Sequence, residues 1–326
     1  MTLEKEMASR AKRIDAAIEA ALEGSLEQLS GPMKYHTLSG GKRVRPILCI
    51  LACELSGGSP DEAVHAASAL ELAHSFSLVH DDIVDADDLR RGKESLWKKY
   101  GNSVAINSGD GLFSLSYCEI LKTDADSDIL VRVMKEFSKG IIKMCEGQSL
   151  DLDFESREKV SLDEYIEMSS LKTGAFLEAS ALIGGILGGA SDAQLEALSL
   201  YSKNWGLAFQ LWDDFIDFSS ESTGKTQNSD IKKGKKTSVV CHALSSLESE
   251  DRKKLLEILN TSSESTSDEL VLEAVSLLEK SGSIDFVRQM AEELLSEAKS
   301  ALDAFPDSEL KNILLEFADY CIKREF

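Results

Sequence analysis

The chain has 326 residues, 43% of them hydrophobic, enough to bury a sizeable core in one large domain or two average ones. Its 57 acidic residues against 36 basic ones give a formal net charge of -21, which argues against a nucleic-acid partner, because binding a phosphate backbone needs a basic stripe. Six cysteines without a close CxxC pair read as reduced residues of a cytoplasmic protein, and no apolar run reaches the roughly 18 residues of an integral membrane segment.

Residues 1–26 are amphipathic and charged, without the apolar centre of a signal peptide. A glycine break at 39–42 precedes GGKRVRP (40–46), in which Lys42, Arg43 and Arg45 open a helix; SGGSP at 56–60 is the next break. From there, apolar residues recur at spacings of three and four over 61–83, 104–121, 129–148, 162–187, 193–218, 236–259, 268–280, 284–304 and 309–322. Between Pro60 and Pro306 there is no proline to interrupt long helices. RRGK at 90–93 and 222–236 read as loops, and alternating strand patterns are scarce. The Ser-rich stretch 261–269 is too short to require a boundary. These patterns predict an all-α bundle of roughly ten or more helices in a single domain, 1–326.

Two of these helical patterns end in the same acidic signature, DDxxD: Asp81, Asp82 and Asp85, then Asp213, Asp214 and Asp217. Residues four apart stack on a helix, so Asp81 lies over Asp85 and Asp213 over Asp217, and the three carboxylates of each motif are expected to share one short surface. One such motif in an acidic chain is commonly a solvated helix face. Two copies, each following an apolar run (FSLVH, LAFQLW), place the carboxylates beside a cavity and call for a cation. Magnesium suits them, because it takes one or two carboxylates and fills its remaining positions with water and phosphate oxygens.

Lys42, Arg43 and Arg45 at a helix start oppose the macrodipole, a conflict that an anion relieves. Arg90, Arg91, Lys172, Lys225 and Lys235 are further diphosphate candidates, downstream of one aspartate motif or near the other. His74 lies two turns before Asp81, and Gln210 one turn before Asp214; on their own, both could equally be satisfied core residues, as could Gln148 and His80. Four resemblances to other motifs fail. STGKT at 222–226 has Ser219 where a P-loop needs glycine, and DADSDILVRVMK has Ile129 and Lys135 at the glycine and glutamate positions of a calcium loop. The sequon at Asn260 matters only in a secreted chain, and GGILGG at 184–189 is better suited to close helix packing.

From GGKRVRP through HSFSLVHDDIVDADDLRRG, KTG and QLWDDFID to GKTQNSDIKKGK, the chain resembles the trans-isoprenyl diphosphate synthases, or polyprenyl synthetase family. The resemblance covers about 38–240. It implies a helical bundle around a deep central cavity, the isoprenoid synthase fold, with the two aspartate motifs facing each other, usually in a homodimer. It implies magnesium, three ions per active site, held by Asp81, Asp82, Asp85, Asp213, Asp214 and Asp217. Arg90, Lys172, Thr173, Gln210, Lys225 and Lys235 match positions that hold an allylic diphosphate. Lys42, Arg45, His74 and Arg91 match those that hold isopentenyl diphosphate, and Lys323 and Arg324 match a basic C-terminus that closes that pocket. The chemistry expected is departure of diphosphate from an allylic carbon with magnesium stabilising the leaving charge, then attack by isopentenyl diphosphate on the carbocation and loss of a proton to the released diphosphate.

Phe76 lies about 7.5 Å along the helix from Asp81, where a growing hydrocarbon tail would meet a wall. An aromatic there, next to Ser77 and an uninserted first motif, resembles archaeal-type geranylgeranyl diphosphate synthases (C20). A farnesyl (C15) or longer-chain product, a non-catalytic regulatory subunit and a terpene cyclase are the alternatives. Both motifs being intact disfavours the subunit, and a second cationic cluster disfavours the cyclase.

Overall fold

The computed structural model describes residues 3–218, 228–262 and 265–322. The protein is all-α, as the sequence predicts. The helices are α1 (Leu3–Leu22), α2 (Glu27–Thr37), α3 (Val44–Leu55), α4 (Pro60–Val84), α5 (Leu96–Tyr100), α6 (Asn102–Ile120), α7 (Ser127–Ser156), α8 (Leu162–Ser169), α9 (Ala175–Leu187), α10 (Asp192–Phe218), α11 (Ser229–Lys232), α12 (Ser238–Ser246), α13 (Ser249–Leu259), α14 (Asp268–Lys280), α15 (Ser283–Ala301) and α16 (Glu309–Ile322). Among the described residues the only strands are β1 (Leu89–Arg90) and β2 (Lys93–Glu94). They pair antiparallel across Arg91 and Gly92, both at positive φ (54° and 74°). Two successive positive φ values define a tight hairpin turn, usually signalled by Asn-Gly or Asp-Gly. With arginine first, RRGK reads as an ordinary loop.

The chain forms two compact units. The first comprises 1–141, 179–199 and 304–314; the second comprises 142–178, 200–303 and 315–326. In the first, α4 is the central element. Pro60 occupies its first turn, where no backbone donor is needed, and the Glu62 carboxylate accepts from the Ser59 N–H (2.9 Å). Its buried residues are mostly small: Ala63, Ala66, Ala67, Ser68, Ala69 and Ala73. That lets α1, α3 and α6 pack directly against it. Close packing also explains GGILGG: a Cβ at Gly184 would stand 2.0 Å from the Cys49 carbonyl oxygen of α3.

In the second unit, Phe154, Tyr165, Met168, Leu211, Val240 and Leu255 are members of one apolar cluster. Each large aliphatic or aromatic side chain buried there contributes about 1.5–3 kcal/mol. Two long patterns are broken in this unit. The predicted run 162–187 is interrupted by a π-turn at Ser170–Gly174, closed by a bond from the Ala175 N–H to the Ser170 carbonyl five residues back. The run 236–259 is two helices. Ser245 and Ser246 both donate their hydroxyls to the His242 carbonyl (2.7 and 3.0 Å), a local bond that competes with helix propagation, and Leu247 and Glu248 are extended.

Candidate active site

Both aspartate motifs occupy the C-terminal ends of long helices: Asp81 and Asp82 the last turn of α4 with Asp85 as its cap, and Asp213, Asp214 and Asp217 the end of α10. A helix C-terminus carries partial negative charge, so carboxylates there are doubly unfavourable without a cation.

The triplets do not share one surface. Asp81 is half-buried and Asp85 exposed, but Asp82 is turned inward and fully buried. Arg90 of β1 donates to its Oδ1 through Nε (2.7 Å) and Nη2, while Oδ2 has no hydrogen-bond partner. Burial, outweighing these bonds, pushes the Asp82 carboxyl up. Asp214 is the corresponding case on α10. Its Oδ2 accepts from the Ser238 N–H (2.9 Å) and hydroxyl (2.6 Å), its Oδ1 from Gln210 Nε2 (3.4 Å), and its carboxylate from the Tyr165 hydroxyl. Burial raises it to about 6 despite those donors. Asp213 is half-buried; Asp217 is buried and accepts from the Asp230 N–H (3.2 Å). In each motif, therefore, the second aspartate is an internal anchor. A helix turns 100° per residue, which directs Asp82 and Asp214 away from the face that holds their predecessors.

Among the described residues no group of three or more His, Cys, Asp or Glu side chains is gathered as a complete metal cage. The donors still suit a hard divalent cation that takes much of its shell from phosphate oxygens and water. All are carboxylates, all lie at negative helix ends, and Asp82 presents an unsatisfied buried oxygen.

In the first unit, Arg45 Nη1 lies 3.3 Å from His74 Nε2, and Arg91 donates to the Gly40 carbonyl oxygen. Burial first, then Arg45 and Arg91, hold His74 well below the usual histidine range. These residues gather around the basic loop, which also carries the half-buried Lys42. His36, which the sequence did not single out, belongs to the same group. It is held down at about 3 by burial and by Arg91, Arg90 and Arg43, and its Nε2 has no partner. Arg43, read from sequence as one more surface cation, is buried at 4% exposure.

Because His36 titrates at about 3 when folded against 6.5 ordinarily, the unfolded chain binds more protons between those values. Stability contributed by neutral His36 is complete above pH 6.5 and is lost as pH falls below it. Urea unfolding at about pH 8 and about pH 5 should show a lower midpoint at the acid value, with the difference reduced in His36→Gln. An unchanged difference in that variant would exclude His36 as a source.

In the second unit the π-turn presents Lys172 and Thr173, a common use of π-bulges. Lys172 Nζ donates to Asp151 Oδ2 at 2.5 Å, and Thr173 Oγ1 to Gln210 Oε1 at 3.3 Å. Thr173, Gln210, Asp214 and Ser238 thus form one hydrogen-bonded chain. Lys235 is exposed; its backbone N–H bonds the Asp230 carbonyl, which sets it beside the residue that donates to Asp217. Asp151 was not foreseen, although QSLDLD places it one turn after Gly147. Lys225, Lys323 and Arg324 lie outside the described residues.

Gly147 of α7 admits the π-turn: a Cβ there would stand 2.2 Å from the Lys172 nitrogen and 2.6 Å from its Cα. Because the obstacle is backbone, Gly147→Ala should displace Lys172 and Thr173 and cost about 1–3 kcal/mol by overpacking. Chemical denaturation together with the KM for the allylic substrate checks this, and normal values of both would contradict it.

Phe76 is half-buried on α4, and Ser77 bonds back to the His74 carbonyl (2.9 Å). The Phe76 ring meets Phe113 edge-on at 5.0 Å; Phe113 meets Tyr117 at 5.3 Å, and Tyr117 meets Phe137 at 5.2 Å.

The profile of the Polyprenyl synthetase family matches residues 26–278. The chain is 40% identical over 329 aligned positions to a geranylgeranyl diphosphate synthase of Methanosarcina mazei, covering 100% of this chain and 99% of that protein. It is 35% identical to a geranylfarnesyl diphosphate synthase of Natronomonas pharaonis, covering 99% and 98%. The solved structure of a geranylgeranyl pyrophosphate synthetase from Pyrococcus horikoshii superposes with a TM-score of 0.93 at 37% identity, over 99% of each chain.

Proposed function

Since the chain belongs to the polyprenyl synthetase family and is a prenyltransferase, we propose that it condenses isopentenyl diphosphate with dimethylallyl, geranyl and farnesyl diphosphates, ending at geranylgeranyl diphosphate. The observation that carries this reading is that each compact unit combines an aspartate motif at a helix C-terminus with cations of its own. A two-diphosphate reaction needs two such sets.

In this reading Asp81, Asp85, Asp213 and Asp217 hold magnesium, three ions per active site, and Asp82 and Asp214 complete the motifs while fixing their geometry. When bound, magnesium neutralises the charge that develops on the leaving diphosphate. Lys172, Thr173, Gln210, Arg90, Lys225 and Lys235 orient the allylic diphosphate. Lys42, Arg45, His74 and Arg91 orient isopentenyl diphosphate, with neutral His36 and His74 adding donors without adding charge. No side chain is assigned as base; the proton from the new cation goes to the released diphosphate.

The reading includes a single domain, supported by units assembled from interleaved chain segments, and a homodimer, supported by the exposed Ile106 and Val131 on α6 and α7. It also includes a cytoplasmic setting, supported by free thiols at Cys49, Cys53, Cys118, Cys145 and Cys241. No helix among the described residues is long and apolar enough to cross a membrane.

Incubation with isopentenyl diphosphate and each allylic primer in turn, with magnesium and with a chelator, tests the proposal. Magnesium-dependent elongation of all three is expected. Failure with every primer would remove it. Release of cyclised hydrocarbon would favour a cyclase, and activity only with a second, different chain would favour a regulatory subunit.

A further inference from the structure

The Arg43 side chain is engaged on four sides. Its Nε donates to Asp15 Oδ1 of α1 (2.8 Å), its Nη1 to Glu71 Oε1 of α4 (2.6 Å) and to the Gly40 carbonyl (3.2 Å), and its Nη2 to the Thr37 carbonyl at the end of α2 (2.8 Å). Its backbone is left-handed, φ 51° and ψ 36°, at the residue that caps α3. A residue with a Cβ rarely holds that conformation unless its surroundings impose it. Here the guanidinium fork supplies the constraint, a geometry that a lysine ammonium cannot reproduce. Arg43 is also the pivot between Lys42 and Arg45, and the Gly40 carbonyl that it holds is the one held by Arg91.

We propose that Arg43 is a positioning residue for the isopentenyl diphosphate pocket, and that Asp15, on a helix outside the residues matched by the family profile, acts on that pocket through it. This rests on the assignment of Lys42, Arg45, His74 and Arg91 to isopentenyl diphosphate. A rotation at Arg43 moves Lys42 and Arg45 relative to each other, so loosening its side chain lowers affinity for one substrate without touching ionisation of the other.

Asp15 is half-exposed, 43% for its side chain, so Asp15→Asn removes one ion pair without leaving a fully buried charge unpaired. Arg10, on the same α1, provides the control: it binds Glu54 of α3 (2.8 Å) and has no hydrogen bond to the loop. Steady-state kinetics and thermal unfolding are measured for Asp15→Asn, Arg43→Lys and Arg10→Gln, with Lys42→Ala and Arg45→Ala in parallel. Asp15→Asn and Arg43→Lys should raise the KM for isopentenyl diphosphate about tenfold, the result of weakening the held diphosphate contacts, with kcat and the KM for the allylic primer unchanged. Arg10→Gln should lower the unfolding midpoint and leave both KM values alone.

If Asp15→Asn lowers stability with normal KM values, or if Arg10→Gln raises the same KM equally, Arg43 only docks α1 and the proposal is wrong. If Arg43→Lys does not fold, Asp15→Asn decides alone. If neither Lys42→Ala nor Arg45→Ala raises that KM, the pocket assignment itself fails and the proposal goes with it.

Discussion

Asp81→Ala and Asp213→Ala should each lower turnover by about two to three orders of magnitude, the cost of removing one preorganised group that stabilises transition-state charge, while the unfolding midpoint stays near that of the parent chain. Both side chains are half-buried at helix C-termini. Replacing either with alanine relieves an unfavourable charge in the metal-free protein, so no large loss of stability accompanies the loss of activity. Asp82→Ala should behave differently. Asp82 is fully buried and bonded to Arg90, whose side chain is 29% exposed. Its removal leaves a partly buried guanidinium without its counter-ion, a destabilisation of about 2–3 kcal/mol once the larger value for fully buried pairs is reduced for solvent access. Turnover and chemical denaturation on the same three variants separate the roles. Near-normal turnover of Asp81→Ala at saturating magnesium would exclude Asp81 as a metal holder, and an unchanged denaturation midpoint for Asp82→Ala would exclude the anchoring role.

Phe76→Ala should lengthen the product beyond geranylgeranyl diphosphate. The ring is the first of an edge-to-face line running through Phe113, Tyr117 and Phe137, of which Phe137 is fully buried. Removing a buried aromatic ring opens space that tightly packed neighbours fill only in part. A tail entering that space next meets Phe113, so the single variant should stop after a limited extension, and Phe76→Ala with Phe113→Ala should go further. Resemblance to both a geranylgeranyl and a geranylfarnesyl diphosphate synthase makes this wall the informative place to test. Product sizing by chromatography distinguishes the cases; unchanged product from both variants would show that the rings are ordinary core.

Much of the architecture can be read from spacing and punctuation. Ser59, Pro60 and Glu62 mark the start of α4, and the double glycines of 184–189 mark a close helix approach whose need is visible at Gly184. What was not legible depends on contacts distant in sequence. Asp82 and Asp214 look the same as Asp81 and Asp213 in the string; their inward role follows from Arg90 in a hairpin and Ser238 on α12. The hairpin itself was hidden because arginine occupies a positive-φ position where glycine or asparagine is the usual signal. The division of 236–259 needed knowledge of where two serine hydroxyls point. Arg43 was read as a charge beside Lys42, because nothing local shows that Asp15 and Glu71 await it.

The most direct test of the central claim is to follow isotopically labelled isopentenyl diphosphate into product, starting from dimethylallyl diphosphate with magnesium and a large excess of the labelled substrate. The account predicts successive geranyl and farnesyl intermediates and accumulation of all-trans geranylgeranyl diphosphate, with one inorganic diphosphate released for each label incorporated. Accumulation of farnesyl diphosphate with no further label, or release of diphosphate without incorporation, would contradict it.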